Sequence, residues 1–253
     1  MGVEGHGPDV ADGPTAIRAV LFDLGGTLID ERDYNEWTEL AGQLHIDFDP
    51  DDLAHAFAEV ERETDTPLRV GPVEFWRRTL ERASGRDVSV AVTERFVEEW
   101  GKRRDGSARP LRLFSDARRC LELLAAEHRE MGVVSNSHSE ESVREILARA
   151  GILHHFSCVV SSGSEHVSKP DPEIFRRAVR RMGVRPEESL YVGNLAYTDA
   201  QAAAAAGLHS VWLHRDGTGF GDDPPEITSL LEVPIVVRLL ERDGPEPPGP
   251  TGP

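Results

Sequence analysis

A carboxylate, Asp23, directly follows the apolar run Ala19–Phe22, and two glycines, Gly25 and Gly26, come two and three residues after it in "FDLGGTL". A carboxylate can act as a covalent nucleophile, which divides one difficult displacement into two easier ones. Glycines leave the backbone unobstructed, so that its N–H groups can approach an anion closely. This stretch, with Thr27 four residues beyond Asp23, predicts nucleophilic chemistry on an anionic substrate. The alternative is that Asp23 merely caps the turn after a strand.

Further polar side chains follow later apolar runs. Ser135 and Asn136 end "MGVVSN", Lys169 lies in "SSGSEHVSKPDP", and Asn194 and Asp199 follow "LYVG". The chain has two lysines among its 28 basic residues, and arginine supplies the other positive charges. An ammonium is a compact charge with three donors, whereas a guanidinium is a planar fork, so Lys169 indicates a requirement that arginine does not meet. A solvated lysine, helix-capping serines and an acid at a helix N-terminus are the alternatives for these residues taken singly.

Five short apolar runs predict buried strands. None of them alternates with period two, which is typical of strands covered on both faces in a parallel sheet. Helical patterns separate the later runs, and this alternation predicts a doubly wound parallel α/β sheet, a Rossmann-like core. In such a sheet ligands bind beyond the carboxyl ends of the strands, where the polar residues above are found. The runs are Ala19–Phe22, Met131–Ser135, Cys158–Ser161, Leu190–Gly193 and Ser210–Leu213.

Capping signals predict where the helices of this core begin and end. Asp171 is a plausible N-cap, Pro172 suits the first helical position, and Gly183 is expected to end that helix. Ser137 and Glu140 have capping-box spacing, so we expect Ser137 to cap the helix in "SEESVREILARAG". A short alanine-rich helix is predicted in "TDAQAAAAAG".

The segment 31–109 breaks the alternation of strands and helices. It carries four amphipathic helical patterns and no convincing strand, so we expect a helical insertion between the first strand and the rest of the core. The core then comprises 16–30 and 110–242, and the polar, Pro- or Gly-containing ends, 1–15 and 243–253, are predicted to be disordered tails. The helical patterns are Tyr34–Leu44, Asp51–Thr64, Pro72–Ala83 and Val92–Arg103.

Composition limits the partners of this 253-residue chain. The net charge of −17 argues against binding of nucleic acid, which requires clustered cations, but allows a small anionic metabolite that responds to local charge. No apolar run approaches the roughly 20 residues of a membrane span, and the N-terminus lacks a signal pattern. We therefore expect a cytoplasmic protein without a membrane partner. Cys120 and Cys158 are expected to be small buried hydrophobes rather than disulfide or zinc ligands.

Together, these motifs resemble the haloacid dehalogenase (HAD) superfamily of hydrolases, in the subgroup with a helical cap inserted after the first strand. "FDLGGTL" resembles the first motif of that family, "VVSNS" the second, "SKPDPEIF" the third and "YVGNLAYTDAQAAAAAG" the fourth. The resemblance covers roughly Ala19 to Leu213, with 31–109 matching the cap by position alone. It implies a phosphatase that acts on a small phosphorylated metabolite with magnesium (Mg²⁺) as cofactor. Whether the protein is a monomer or a homodimer stays open.

The resemblance also implies a role for each polar residue. Asp23 would be the nucleophile that forms an aspartyl-phosphate, and Lys169 would neutralise Asp23 and the bound anion. Ser135 would bind a phosphoryl oxygen, and Asn136 would contact the substrate or brace its loop. The resemblance also assigns Thr27 to the catalytic set and Gly26 to substrate binding. The residues that it assigns to the metal are Asp23, Gly25, Asn194 and Asp199. Orientation of Lys169 is the other role open to Asp199.

Two positions depart from the family pattern. Gly25 stands where the phosphatases usually carry a second aspartate, the general acid–base, and it matches neither the tyrosine of the dehalogenase branch nor the alanine of the phosphonate-cleaving branch. Asn194 replaces an aspartate that ligates magnesium, which removes one negative charge from the site. Three hypotheses stay open: a phosphatase with another proton source, a metal-independent dehalogenase-like hydrolase, and a catalytically impaired binding or regulatory protein. Candidates for the missing acid–base are Asp30, Asp33, Glu36 and His45.

Overall fold

The architecture comes from a computed structural model that describes residues 16–30, 34–64, 70–105, 111–215, 217 and 225–242. The tails predicted for 1–15 and 243–253 lie outside these residues. The strands are β1 (Ala19–Phe22), β2 (Ile29–Asp30), β3 (Arg112–Leu113), β4 (Glu130–Ser135), β5 (Cys158–Ser161), β6 (Ser189–Gly193), β7 (His209–Leu213) and β8 (Glu226–Ile227). The five predicted strands correspond to β1, β4, β5, β6 and β7, each within one residue at either end, so their prediction is confirmed.

Helices connect and cover these strands. Those with both ends in the described residues are α1 (Tyr34–Gln43), α2 (Pro50–Thr64), α3 (Pro72–Ser84), α4 (Val90–Asp105), α5 (Ala117–Ala126), α6 (Glu140–Arg149), α7 (Ser162–Glu165), α8 (Pro172–Met182), α9 (Ala202–Ala205) and α10 (Val233–Arg242). A π-helical segment, Ala196–Gln201, leads into α9, and short 3₁₀ turns occupy Leu153–His155, Pro186–Glu188 and Leu230–Glu232. Within the described chain, no helix has both the length and the apolar character that a membrane span requires.

One six-stranded parallel sheet forms the centre of the fold, in the order β5-β4-β1-β6-β7-β8. Val20 and Phe22 of β1 pack into a hydrophobic core with α5, α6 and α10, whereas Ala19 and Leu21 pack into a second core with α8 and α9. Both faces of the sheet are therefore covered, which explains why its strands are continuous apolar runs. The predicted doubly wound α/β fold is confirmed.

The helices α1 to α4 have a hydrophobic core of their own. Trp37 and Trp76 pack edge to face in it, with ring centroids 4.8 Å apart, and the four predicted helices are confirmed. β2 and β3 pair in antiparallel fashion where the chain enters and leaves this segment, with Ile29 opposite Leu113. The predicted boundaries at 30/31 and 109/110 border residues outside the description, so they stay predictions.

The capping predictions had mixed outcomes. Asp171 accepts a hydrogen bond from the backbone N–H of Glu173, Pro172 begins α8, and Gly183 ends it with a φ of 67°, all as predicted. The prediction for Ser137 was wrong, because the N-cap of α6 is Ser139, whose Oγ accepts from a backbone N–H at 3.1 Å. The alanine-rich helix begins as the wider π-helical coil before it becomes α9.

Candidate active site

The polar residues predicted from the strand ends meet beyond the carboxyl ends of β1 and β6. Lys169 Nζ lies 2.6 Å from Asp23 Oδ1, across 146 residues of sequence. The same nitrogen lies 2.6 Å from Asp199 Oδ1. One ammonium thus joins the loop after β1, the segment before α8 and the π-helical segment after β6 into a single site.

Lys169 is almost completely buried, with 3% of its surface exposed. Its third partner is the phenol of Tyr191 on β6, with Oη 3.1 Å from Nζ. Burial opposes the charge of the ammonium, but the carboxylates of Asp199 and Asp23 outweigh burial and raise the pKa of Lys169. The lysine is therefore a fixed cation with all three of its N–H donors facing acceptors.

The two carboxylates beside Lys169 differ in what they can do. The side chain of Asp199 is 1% exposed; its Oδ1 accepts from Lys169 and Tyr191, and its Oδ2 accepts from the backbone N–H of Leu195 at 3.1 Å. The side chain of Asp23 is 10% exposed. Burial raises the pKa of Asp23 from 3.8 to about 6, with Lys169 opposing this rise and Asp199 adding to it. Asp23 is thus the carboxylate that a substrate can reach, and Asp199 serves the lysine.

Thr27 links the two loops that carry Asp23 and Asn194. Its hydroxyl lies 3.3 Å from Asp23 Oδ2 and 3.2 Å from Asn194 Oδ1. A Cβ placed on Gly26 would lie 2.4 Å from Asn194 Nδ2, so Gly26 is required there for close packing. The indole N–H of Trp212 also donates to the backbone carbonyl of Asn194 at 3.0 Å. Asn194 is therefore held against the turn after β1 on three sides.

Ser135 is the last residue of β4 and Asn136 follows it, and their side chains have different environments. Asn136 Nδ2 donates to the carbonyl of Lys169 at 3.0 Å, and the N–H of Lys169 donates to Asn136 Oδ1 at 2.9 Å. These contacts favour the bracing role of Asn136 over contact with the substrate. Ser135 is 7% exposed, and no hydrogen bond of its hydroxyl occurs within the described part of the chain, so this hydroxyl is available to a ligand.

Sequence reasoning missed Tyr191 and Arg215. Tyr191 lies within an apolar run, and its ring packs edge to face on Phe175 at 4.8 Å, so no local pattern indicates a polar role for it. Arg215 follows β7, donates to the carbonyl of Thr27 at 2.9 Å and pairs with both oxygens of Asp116. For Arg215, the signal available in the sequence was an arginine close to the end of a strand.

The acid–base candidates near the helical segment are dispersed. Asp30 lies in β2 opposite Arg112, Glu36 lies 3.9 Å from Arg103 on α4, and His45 follows α1 with a φ of 64°. Asp33 lies outside the described residues. Which group serves as acid or base stays a prediction.

The donor set allows a magnesium ion with few protein ligands. Asp23 Oδ2 and Asn194 Oδ1 approach the same Thr27 hydroxyl, so two oxygen ligands converge there. Mg²⁺ commonly takes one or two carboxylates and keeps several waters, which this pair satisfies. No group of three or more His, Cys, Asp or Glu suited to a metal occurs in the described ranges. The contacts of Asp199 favour orientation of Lys169 over binding of the metal.

Comparisons with known proteins show which family and fold the chain resembles. The family model of haloacid dehalogenase-like hydrolases matches residues 17–207. A phosphoserine phosphatase of Thermus thermophilus is 42% identical over 90 residues, which are 36% of this chain and only 35% of that relative. The chain therefore spans about a third of the length of that curated relative.

Other relatives match over nearly their whole length. A phosphoglycolate phosphatase of Pectobacterium atrosepticum is 30% identical over 88% of this chain and 89% of its own. (S)-2-haloacid dehalogenase 2 of a Pseudomonas species is 27% identical over 90% and 98%. The crystal structure of a HAD phosphatase from Thermococcus onnurineus shares the fold, with a TM-score of 0.54 and 24% identity over 87% of this chain and 97% of that one.

Proposed function

The chain belongs to the haloacid dehalogenase-like hydrolases, and from this membership we propose that it hydrolyses a small phosphorylated metabolite through a phosphorylated Asp23. The observation that carries the proposal is the placement of Lys169, 2.6 Å from both Asp23 and the sealed carboxylate of Asp199. A buried ammonium fixed beside an accessible carboxylate favours attack on an anion, because the cation offsets the repulsion between the two negative groups.

The first step forms a bond between a carboxylate oxygen of Asp23 and phosphorus as the bond to the leaving oxygen breaks. Lys169 neutralises charge on Asp23 and on the phosphoryl oxygens. The hydroxyl of Ser135 donates to one of those oxygens, and the backbone at Gly26 leaves room for another. In the second step water attacks phosphorus and the electron pair returns to the carboxylate of Asp23, which releases phosphate.

Asp23, Asn194 and the backbone carbonyl of Gly25 are the residues that would hold magnesium. The ion supplies positive charge to the transferring phosphoryl group when it is bound. Because Asn194 is neutral, we expect weaker binding of the ion than a carboxylate would give. Asn194→Asp should therefore lower the magnesium concentration for half-maximal activity, and isothermal titration with the ion gives a second measure that does not depend on turnover.

The helical segment 34–105 serves as the cap in this proposal. It is inserted after β1 and returns to the core at β3, so both of its ends lie near the loop that carries Asp23. We propose that the segment covers the site and selects the metabolite.

Release of phosphate from a panel of phosphate monoesters, with and without magnesium, tests the proposal. We expect release from at least one member, and its abolition in Asp23→Asn. Asp87→Asn is the matched control, because it makes the same change at an exposed position between α3 and α4. Full activity of Asp23→Asn would remove Asp23 as the nucleophile.

Two observations favour a second candidate, a metal-independent dehalogenase. They are the similarity to (S)-2-haloacid dehalogenase 2 and the neutral side chain of Asn194. In that reaction Asp23 attacks carbon and displaces a halide. Halide release from 2-haloacids in the presence of a chelator, without phosphate release from the panel, would support it. Loss of both activities, with phosphate still bound, would support the hypothesis of a binding or regulatory protein.

A further inference from the structure

Within the described part of the chain, the side chains that contact the Asp23 carboxylate offer no acidic proton to a leaving group. The three N–H donors of Lys169 face Asp23, Asp199 and Tyr191. Thr27 contacts Asp23 with a hydroxyl, which is not acidic near neutral pH. Gly25, two residues after the nucleophile, has no side chain at all.

The sealed groups behind the lysine do not change this. Asp199 is fully buried, and its two oxygens accept three hydrogen bonds. Tyr191 is fully buried too, and its hydroxyl lies 3.2 Å from the carbonyl of Val134. Both side chains are closed to solvent, whereas the side chain of Asp23 is 10% exposed, so neither is placed to give a proton to a substrate.

We infer that the site acts on phosphoryl compounds whose leaving group departs as a stable anion, namely acyl phosphates and phosphates of acidic phenols, in preference to phosphate esters of alcohols. This inference rests on the proposed function. It adds the substrate class, which the chemistry around Asp23 selects by the stability of the leaving group.

The bond changes explain the selection. The Asp23 oxygen bonds to phosphorus, the bond from phosphorus to the leaving oxygen breaks, and the electron pair leaves on that oxygen. A carboxylate or an acidic phenolate carries the pair without a proton, whereas an alkoxide must take a proton from water during the step. A positioned acid contributes roughly 10²–10⁴-fold to such a step, and alcohol esters forgo this factor here.

The second step is slowed for the same reason. Water attacks phosphorus, the electron pair returns to the carboxylate of Asp23, and the proton of water passes to phosphate or solvent. Because no described side chain in contact with Asp23 is a free general base, we expect the phosphorylated Asp23 to be hydrolysed more slowly than it forms from an acyl phosphate. Phosphorylated protein should therefore accumulate.

The test measures kcat/KM of the wild-type protein with acetyl phosphate, a graded series of aryl phosphates from 4-nitrophenyl to phenyl, and glycerol phosphate. We expect rates that fall steeply as the leaving group becomes less acidic, with glycerol phosphate roughly 10²-fold or more below acetyl phosphate. Rapid quenching should show a burst of released leaving group equal in amount to the protein, and the mass of the protein should show a phosphoryl adduct. Both should be absent in Asp23→Asn.

Two variants at position 25 distinguish the effect of an acidic proton from the effect of side-chain size. Gly25→Asp should raise the ratio of the glycerol phosphate rate to the acetyl phosphate rate by roughly 10²-fold, whereas Gly25→Asn, of the same size without an acid, should not raise this ratio. Equal rates for glycerol and 4-nitrophenyl phosphates in the wild type would overturn this inference and leave the proposed function standing. No phosphate release and no adduct from any compound, acetyl phosphate included, would overturn both.

Discussion

The side-chain amide of Asn136 is bonded at both ends to the main chain of Lys169, with the amide nitrogen 3.0 Å from the lysine carbonyl and the amide oxygen 2.9 Å from its N–H nitrogen. This pair fixes the backbone that carries the buried ammonium to the loop after β4. Asn136 therefore fixes the main chain of Lys169, and Asp23 and Asp199 fix the position of its ammonium group.

Asn136→Ala should loosen the backbone of Lys169. The variant leaves two main-chain polar groups without their partners, so we expect the free energy of unfolding to fall by about 1–3 kcal/mol. We also expect kcat to fall by roughly tenfold, equivalent to about 1.4 kcal/mol. Urea denaturation and steady-state kinetics measure the two effects. Ser137→Ala on the same loop is the control, and an unchanged kcat in Asn136→Ala would contradict the bracing role.

Tyr191→Phe should affect turnover and spare binding. The ring packing on Phe175 survives, but Lys169 and Asp199 each lose a hydrogen-bond partner. We expect a loss of about 1–3 kcal/mol in stability and a clear fall in kcat. KM should stay within about twofold, because a wholly buried phenol does not touch substrate. A raised KM with an unchanged kcat would mean that the phenol acts on the substrate instead.

The raised pKa of Asp23 predicts a pH dependence of stability in metal-free protein. The folded state takes up this proton at about pH 6 and the unfolded state near 3.8, so the folded state binds more protons between these values. The free energy of unfolding of the wild type, minus that of Asp23→Asn, should therefore fall as the pH rises from about 4 to 6 and level off above. Denaturation with a chelator present gives this difference. A difference that increases with pH would show that the ammonium lowers the pKa of Asp23 more than burial raises it.

Gly163→Ala should displace the loop that follows Ser135. A Cβ on Gly163 would lie 1.8 Å from the carbonyl oxygen of His138 and 2.4 Å from its carbon, so backbone must move. We expect a loss of stability of about 1–3 kcal/mol and a weaker response to phosphate as an inhibitor. Gly101→Ala is the matched control, since nothing lies within 4 Å of its Cβ position in α4, and it should be neutral or stabilising. Equal stability of the two variants would contradict the close packing at Gly163.

Much of the fold was predictable because its strands are buried on both faces. Continuous apolar runs marked β1, β4, β5, β6 and β7 within a residue. The two-residue strands β2, β3 and β8 were not predicted, because two residues are too few to show any hydrophobic period. The sequence pattern predicts Ser137 as the cap of α6 and the structure has Ser139, because the three serines in "SNSHS" satisfy similar local rules and packing selects one.

The candidate site was predictable as a set of residues and unpredictable as a set of contacts. Asp23, Thr27, Lys169, Asn194 and Asp199 were identified from polar types at strand ends. Two contacts depend on distances across strands that no local pattern records. Asn136 binds the main chain of Lys169, and Tyr191 is the third partner of its ammonium group.

The sequence by itself determined which segments become strands and which reactive groups stand at their ends, because hydrophobic periodicity and turn chemistry act over a few neighbouring residues. The tertiary structure alone decided that β1 lies between β4 and β6, and so which of those groups meet. It left the side chain of Asp23 10% exposed and that of Asp199 1% exposed, with both held against the same lysine. That division depends on the order in which strands pair, which is set by burial of the whole sheet rather than by any single stretch of the chain.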